Sequence, residues 1–113
     1  MNTFCIGWAD NLLVKIPDDT IYLIFGFKFK NNIPDGYIPS SVTDVAIYGT
    51  TELLINNLPF GIKRLTIAEN DVIINNLPSS LEILKIVEYD YKKLVKVPFG
   101  CKVLDDNDKE IQI

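Results

Sequence analysis

The side chains that most often do chemistry near neutral pH are scarce in this sequence. It has no histidine, so the usual general base is missing and the common catalytic triads are excluded. Its two cysteines, Cys5 and Cys101, lie near opposite ends of the chain, and no carboxylate pair recurs at the spacing of metal ligands. Neither the Gly-x-Gly-x-x-Gly pattern nor the phosphate-loop pattern occurs. We therefore expect that the protein is not an enzyme and has no cofactor and no metal site.

One acidic run, Asp105-Asp106-Asn107-Asp108, resembles part of a cation-binding loop. It lacks the turn glycine and the distant glutamate of a calcium loop, so we interpret it as a solvated cap on the last unit of the fold. An enzyme would be reconsidered only for a pocket that holds coupled carboxylates.

Length, charge and composition exclude several classes of function. The chain has 113 residues with 48% hydrophobic residues, which predicts a single domain over residues 1–113. The net charge is −4 and the eleven cations are scattered, so we expect no nucleic-acid partner. The longest apolar stretch, residues 21–27, is far shorter than the roughly 20 residues that cross a bilayer, and we expect no membrane partner. The first ten residues lack a basic region, which indicates an intracellular, cytoplasmic protein.

An internal repeat is the dominant feature: "INNLPFGIKRLTIAEN" at 55–70 is echoed by "INNLPSSLEILKIVEY" at 74–89. Five units begin with an aliphatic residue before a proline, and the third, sixth and eighth residues after that proline are mostly apolar. A sixth unit without proline opens the chain and places Thr3, Ile6 and Trp8 in those three slots. The five anchoring prolines are Pro17, Pro39, Pro59, Pro78 and Pro98.

Each unit predicts a turn followed by a short strand. Proline stops a helix, and pairs such as Ser79-Ser80 or Phe60-Gly61 favour a turn. Alternation then places Leu84 and Ile86 on the opposite face from Lys85, which is the period of a half-buried strand. The sequence therefore predicts a β-rich solenoid of about six short parallel strands with irregular return segments. Some five strand steps separate the two cysteines, on the order of 20 Å, so we expect free thiols.

The slots Ile62, Leu65, Ile67 and Asn70 fit the pattern LxxLxLxxN, and the unit therefore resembles a leucine-rich repeat. The stretch "FKNNIPDGYIPSSVTDVAIYG" at 29–49 resembles more narrowly the FNIP repeat family of social amoebae and of giant viruses that infect amoebae. The resemblance implies a protein-interaction module, placed in the host cytoplasm if the chain is viral. Most units lack the asparagine of the leucine-rich pattern, so backbone groups between coils must find backbone or water partners instead.

The outward row of the sheet, the fifth, seventh and ninth residues after each proline, is the predicted binding surface. In the last unit these slots hold Val103, Asp105 and Asn107. We expect two cross-strand ion pairs on this face, Asp44 with Arg64 and Lys85 with Asp105. Apolar and aromatic members of the row would expose more apolar area than soluble monomers usually do, so either this face binds a partner or flanking loops cover it. The candidate partner-binding residues are Tyr22, Ile24, Tyr48, Arg64, Ile83, Lys85 and Val87.

Two functions fit such a chain. The first is a module that presents the outward row to a protein partner or to a second copy of itself, as a homodimer. The alternative is a structural or assembly protein whose open sheet edges, at the first strand and at the C-terminal "KEIQI", pair between chains. A capped C-terminal edge would favour the first, and an unpaired apolar tail at 111–113 would favour the second.

Overall fold

The computed structural model describes residues 2–6, 15–26, 36–48, 58–68, 77–88 and 96–111. Six strands lie in one sheet, every neighbouring pair is parallel, and the order in the sheet is the order in the chain. Because parallel neighbours all begin at the same end of the sheet, each connection must return the chain to that end. The architecture is a β-solenoid, and the predicted fold of stacked parallel strands is confirmed, while most of the predicted return segments lie outside the described residues. The strands are β1 (Thr3–Ile6), β2 (Tyr22–Phe25), β3 (Asp44–Tyr48), β4 (Arg64–Ala68), β5 (Ile83–Val87) and β6 (Lys102–Leu104).

The core lies under the inward face of this sheet. The register aligns Leu23 with Val45, Leu65, Leu84 and Val103 across the four pairings from β2 to β6, and each of these side chains is buried. The eighth and third slots form parallel buried rows, so apolar residues stack on their counterparts in the next coil. These further core residues are Phe25, Ile47, Ile67, Ile86, Val42, Ile62 and Leu81.

The turns before the strands have two forms. In the Pro-Ser-Ser turns the N–H of Leu81 donates to the carbonyl of Pro78 at 3.1 Å, and in a Pro-Phe-Gly turn the N–H of Cys101 donates to Pro98 at 3.1 Å. Gly61 and Gly100 have φ of 109° and 83°. A type II turn requires such a positive φ at the third of its four residues, which is the position of these glycines. Glycine is therefore needed in the Pro-Phe-Gly turns and not in the Pro-Ser-Ser turns.

The second serine of each Pro-Ser-Ser turn ties its coil to the preceding one. The hydroxyl of Ser80 accepts from the N–H of Gly61 at 3.0 Å and donates to the carbonyl of Ile62 at 2.9 Å. The hydroxyl of Ser41 lies 2.7 Å from the carbonyl of Thr20, one coil earlier. In these two turns side-chain hydroxyls supply the bonds between coils that the sequence analysis assigned to backbone or water alone.

The predicted alignment of the first unit is wrong by two residues. Thr3 pairs with Tyr22, and Ile6 pairs with Phe25, so Ile6 takes the eighth slot rather than the sixth. A shift of two residues keeps a side chain on the same face of a strand, which is why Ile6 is buried although its slot was misassigned. Trp8, placed in the eighth slot by the prediction, lies outside the described residues.

The last unit is shifted by one residue, and its predicted faces are wrong. Lys102 pairs with Ile83 and Val103 pairs with Leu84, although Val103 is only the fifth residue after its proline. A one-residue shift exchanges the faces, so Val103 is buried and Leu104 turns outward. Either of the adjacent apolar residues Val103 and Leu104 could fill the inward slot here. The chain from the turn to this slot is one residue shorter than in the preceding units, and the β-branched Val103 therefore lies in the core.

After Leu104 the chain folds back along the outer edge of β6. The carboxylate of Asp105 accepts the N–H groups of Asn107 at 2.8 Å and Lys109 at 2.9 Å, which closes a tight turn. Leu104 then forms an antiparallel bridge with Glu110, and the N–H of Ile111 donates to the carbonyl of Val103 at 2.7 Å. Asp105 and Asn107 are therefore turn residues and not the outward strand residues that were predicted.

Candidate functional site

The outward face of the sheet is partly filled by its own side chains. Tyr22, Ile24, Ile83 and Val87 are each half-buried, and none is among the exposed large apolar residues. The small side chain of Ala46, which pairs in register with Ile24 and Thr66, is fully buried between them. The large outward side chains thus cover the small ones. The part of the outward face that stays open to solvent is a small depression.

That depression is a cleft of about 220 Å³ near the start of the strands. It crosses the sheet from β2 to β6, because the side chains that line it come mostly from the fifth and seventh slots of successive units. Aromatic and aliphatic walls alternate with charged groups along it. We call it the strand-face cleft, and its outward-facing lining is Tyr22, Asp44, Arg64, Thr66, Ile83, Lys85, Leu104 and Asp108.

Four of the seven predicted binding residues line the strand-face cleft, and the other three do not. Tyr22, Arg64, Ile83 and Lys85 are brought together in its walls. The remaining three, Ile24, Tyr48 and Val87, share the same face of the sheet but do not line the cleft. Tyr48 and Val87 are the last residues of their strands, so their backbones lie near the other end of the face, although Tyr48 is close enough to Tyr22 to raise its pKa.

The charged groups of the cleft are paired differently from the prediction. Lys85 Nζ lies 3.0 Å from Asp108 Oδ1, and not against Asp105, whose carboxylate is used by its own turn. Arg64 is aligned with Asp44 in the register, but no ion pair joins them, and Asp44 accepts the hydroxyl of Thr43 at 2.9 Å. In the described part of the chain, the guanidinium of Arg64 is exposed and makes no ion pair.

The phenol of Tyr22 is protonated at neutral pH. Its burial raises the pKa above the usual 10.0, and the neighbouring Tyr48 and Asp44 raise it further, while Lys85 acts in the opposite direction. Tyr22 can therefore donate a hydrogen bond across the cleft, beside the N–H donors of Arg64. This combination of an aromatic ring, a guanidinium and aliphatic walls is suited to a peptide or protein side chain.

Metal and thiol chemistry have little basis in the described residues. No group of three or more His, Cys, Asp or Glu side chains among them could hold a metal ion. Cys5 and Cys101 are both free thiols, as predicted, and they lie at opposite ends of the sheet. Burial raises the pKa of the Cys101 thiol, which disfavours the reactive thiolate.

Leu104 and Asp108 also line the cleft, although the repeat pattern does not predict them there. Leu104 reaches it only because of the one-residue shift in β6, and Asp108 only because the chain folds back after Leu104. The adjacent apolar pair Val103-Leu104 was the available signal, because such a pair leaves the alternation of faces undecided.

Comparison with known proteins gives one partial similarity. A 59-residue stretch is 39% identical to the "Probable serine/threonine-protein kinase fnkE" of Dictyostelium discoideum, which is 50% of this chain and 4% of that protein. Because the chain spans about 4% of that relative, the relative's activity is not transferred to it. No family model matches the chain, and no solved structure matches it. Within the described residues no helix has the length and apolar character to cross a membrane.

Proposed function

We propose that this chain is a non-enzymatic protein-interaction module that binds a protein through the outward face of its sheet. The observation that carries the proposal is the strand-face cleft, where Tyr22, Ile83 and Leu104 border Arg64, an exposed residue that makes no ion pair within the described residues. Tyrosine and arginine are the side chains that most often dominate protein interfaces, and the centre of an interface is usually a desolvated pocket of this kind. The partner is a foreign protein or a second copy of the chain.

The proposal includes membership of the FNIP type of leucine-rich repeat, within the cytoplasm. Its support is the repeated proline-anchored unit, the parallel solenoid that the units build, and the partial similarity to a protein of Dictyostelium discoideum, a social amoeba. A repeat solenoid offers a continuous face rather than a reactive centre, which agrees with a binding role.

The state of the carboxylates supports binding over acid–base chemistry. Two of them, Asp44 and Asp108, line the cleft, and each has its own local partner, the hydroxyl of Thr43 and the ammonium of Lys85. A catalytic pair of the kind that would revive an enzymatic function needs carboxylates that share a site and a proton. The partners observed here hold the two groups in place as parts of the wall.

Edge-to-edge assembly is the alternative, and the C-terminal edge argues against it. Glu110 bridges Leu104, and Ile111 both bonds to Val103 and packs against the core, so this part of the outer edge of β6 is already covered. A covered edge cannot template a further strand. At the other end, β1 is the edge strand of the sheet.

Light scattering on a size-exclusion column, under reducing conditions and over a tenfold concentration range, tests whether the face binds a second copy. If a dimer forms, Ile83→Asp should disperse it because a carboxylate is placed inside the cleft. The matched control Ser79→Asp places the same charge on an exposed turn and should leave the dimer intact. If the dimer survives Ile83→Asp, the outward face is not the dimer interface, and edge-to-edge assembly becomes the favoured explanation.

A monomer at every concentration directs the test to a foreign partner. A photoreactive phenylalanine derivative in place of Tyr22, which keeps an aromatic ring in the cleft, should then trap a protein from a lysate of the source cells. Ile83→Asp in the same chain should abolish that adduct, and the same derivative at Ser79 is the control. The proposal fails if the adducts from the two positions are the same, or if Ile83→Asp leaves the Tyr22 adduct unchanged while the fold, checked by circular dichroism, is intact.

A further inference from the structure

The residue after each anchoring proline, which we call the corner residue, lies in a turn. Because the strands that follow pair in chain order, and Ser41 and Ser80 bond to the preceding coil, the turns lie side by side in one row. Phe60 and Phe99 occupy two of the corners and are 80% and 106% exposed, the values of side chains with almost no protein contact. They are the exposed large apolar residues of the described chain. The full row, in order, is Asp18, Ser40, Phe60, Ser79 and Phe99.

The turn itself does not require phenylalanine. What the Pro-Phe-Gly form needs is the glycine at positive φ, as at Gly61 and Gly100. The Pro-Ser-Ser turns, which we call the sister turns, have Ser40 and Ser79 at the corner position. These turns also precede strands of the same sheet. Because the two rings are exposed, they contribute no burial to the stability of the fold. An exposed, repeated aromatic side chain without a structural role indicates contact with something outside the chain.

The sign of the charges near each turn depends on the corner residue. Turns with phenylalanine at the corner are followed by cations, and the other turns are followed by acids. In the five residues after Pro59 and Pro98, both of which are followed by phenylalanine, every charged residue is a cation. In the five residues after each of the other three anchoring prolines, every charged residue is an acid. The cations are Lys63, Arg64 and Lys102, and the acids are Asp18, Asp19, Asp44 and Glu82.

The basic character extends to the N-terminal side of the second aromatic corner. Residues 91–104 contain four lysines and no acid, in a chain whose net charge is −4. Lys96 and Lys102 flank Phe99 in this stretch, and both are exposed. Lys63 lies 3.5 Å from Glu82, but both side chains remain largely accessible, so this surface pair is easily exchanged for another anion.

We propose that Phe60 and Phe99, with Lys63, Lys96 and Lys102, form a docking surface for an anionic lipid bilayer, which we call the aromatic ridge. Two strand steps separate the rings, about 10 Å, so both can enter the headgroup region of one membrane together. Aromatic rings at that depth, with lysines that reach the lipid phosphates, are the combination that holds a protein on an anionic surface.

The shape of the surface favours a bilayer over a protein. Both rings project from turns and are 80% and 106% exposed, so a fluid bilayer can envelop them, whereas a protein partner would have to supply two matching pockets. The expectation of no membrane partner concerned the absence of a segment that crosses a bilayer, and a ridge of turn corners needs no such segment. The aromatic ridge lies at the turns and is distinct from the strand-face cleft.

Co-sedimentation of the full chain with vesicles tests this proposal. The chain should bind vesicles of phosphatidylcholine with phosphatidylserine, should bind phosphatidylcholine alone much more weakly, and should be released by high salt. The double variant Phe60→Ser/Phe99→Ser, which restores the residue of the sister turns, should reduce binding roughly tenfold or more without lowering the melting temperature. Ser40→Ala is the matched control on the same row and should bind as the unaltered chain does.

Three results would overturn the proposal. The first is the absence of binding to the anionic vesicles. The second is anionic binding that the double variant leaves unchanged, which would reduce the ridge to a diffuse charge effect. The third is a dimer that Phe60→Ser/Phe99→Ser disperses, since the rings would then dock on a second copy of the chain. Ile83→Asp should leave vesicle binding unchanged, so failure here and failure of face binding are separately visible.

Discussion

Replacing Ser80 by alanine should destabilise the solenoid far more than its exposure suggests. The hydroxyl of Ser80 accepts from the N–H of Gly61 and donates to the carbonyl of Ile62, at 3.0 and 2.9 Å. Alanine removes both bonds and leaves a backbone donor and a backbone acceptor of the preceding coil without this partner. Each such bond contributes about 0.5–1.5 kcal/mol net, so the expected loss is about 1–3 kcal/mol.

Urea denaturation measures this loss directly. The midpoint of unfolding should fall while the slope of the transition stays constant, because the variant exposes the same surface on unfolding. In a thermal scan a domain of this size should lose roughly 4 °C for each kcal/mol. The effect should recur with Ser41→Ala, whose hydroxyl bonds the carbonyl of Thr20 at 2.7 Å. Because the two serines lie in different turns, the double variant should lose the sum of the single losses.

Ser79 provides the internal control for this experiment. It is the same residue type in the same turn, it precedes Ser80, and it is exposed. Ser79→Ala should therefore change the free energy of unfolding by less than about 0.5 kcal/mol. Equal losses from Ser79→Ala and Ser80→Ala would show that the effect comes from turn propensity. The tie between coils would then contribute nothing measurable.

Two further perturbations address the turns at the C-terminal end. Gly100→Ala meets no atom within 4 Å, so its cost is that of placing an L-residue at φ +83°, about 1 kcal/mol in urea denaturation; Gly100→Asn should cost less, and equal losses would contradict the conformational explanation. The N–H of Lys109, and next that of Asn107, lower the pKa of Asp105 below its ordinary 3.8, so this carboxylate stabilises the fold above that value and its contribution disappears as the pH falls through the lowered pKa. The amide NMR signals of residues 107 and 109 should follow this titration, and Asp105→Asn should abolish it; signals that titrate unchanged in the variant would refute the assignment.

The positions of the middle strands follow from the sequence because two local rules agree there. Proline sets the start of each turn, and alternation after it has a single solution, as at Leu65 with Ile67 and at Leu84 with Ile86. The first unit has no proline, so only alternation remained, and a shift of two residues satisfies alternation equally well. Ile6 was therefore placed on the correct face and in the wrong slot.

The candidate site was harder to predict because it depends on which neighbours meet, and not only on which face a residue occupies. Counting placed Tyr22, Arg64, Ile83 and Lys85 on one face, and the structure joins them in the cleft. It could not show that Ala46 would be covered by the larger side chains around it, since that depends on how neighbouring rows pack. The turn pattern predicted that Phe60 lies in a turn, but not that its ring and that of Phe99 would be left exposed, because hydrophobicity alone predicts burial.

The wall of the cleft at β6 depends on the length of the last unit. In that unit the inward slot comes five residues after the proline, and not six as in the preceding four units. If the sixth residue after Pro98 had taken the inward slot, Leu104 would be buried and Val103 would line the outward face. With the observed register, Leu104 extends the aliphatic wall, and the chain turns back one residue later at Asp105. That turn delivers Asp108 to Lys85 at 3.0 Å and so neutralises one of the two cations in the cleft. Among the described residues that line the cleft, Arg64 is thereby left as the cation without an ion pair, and in the proposed interface it would attract an anionic group of the partner because of the shortened repeat.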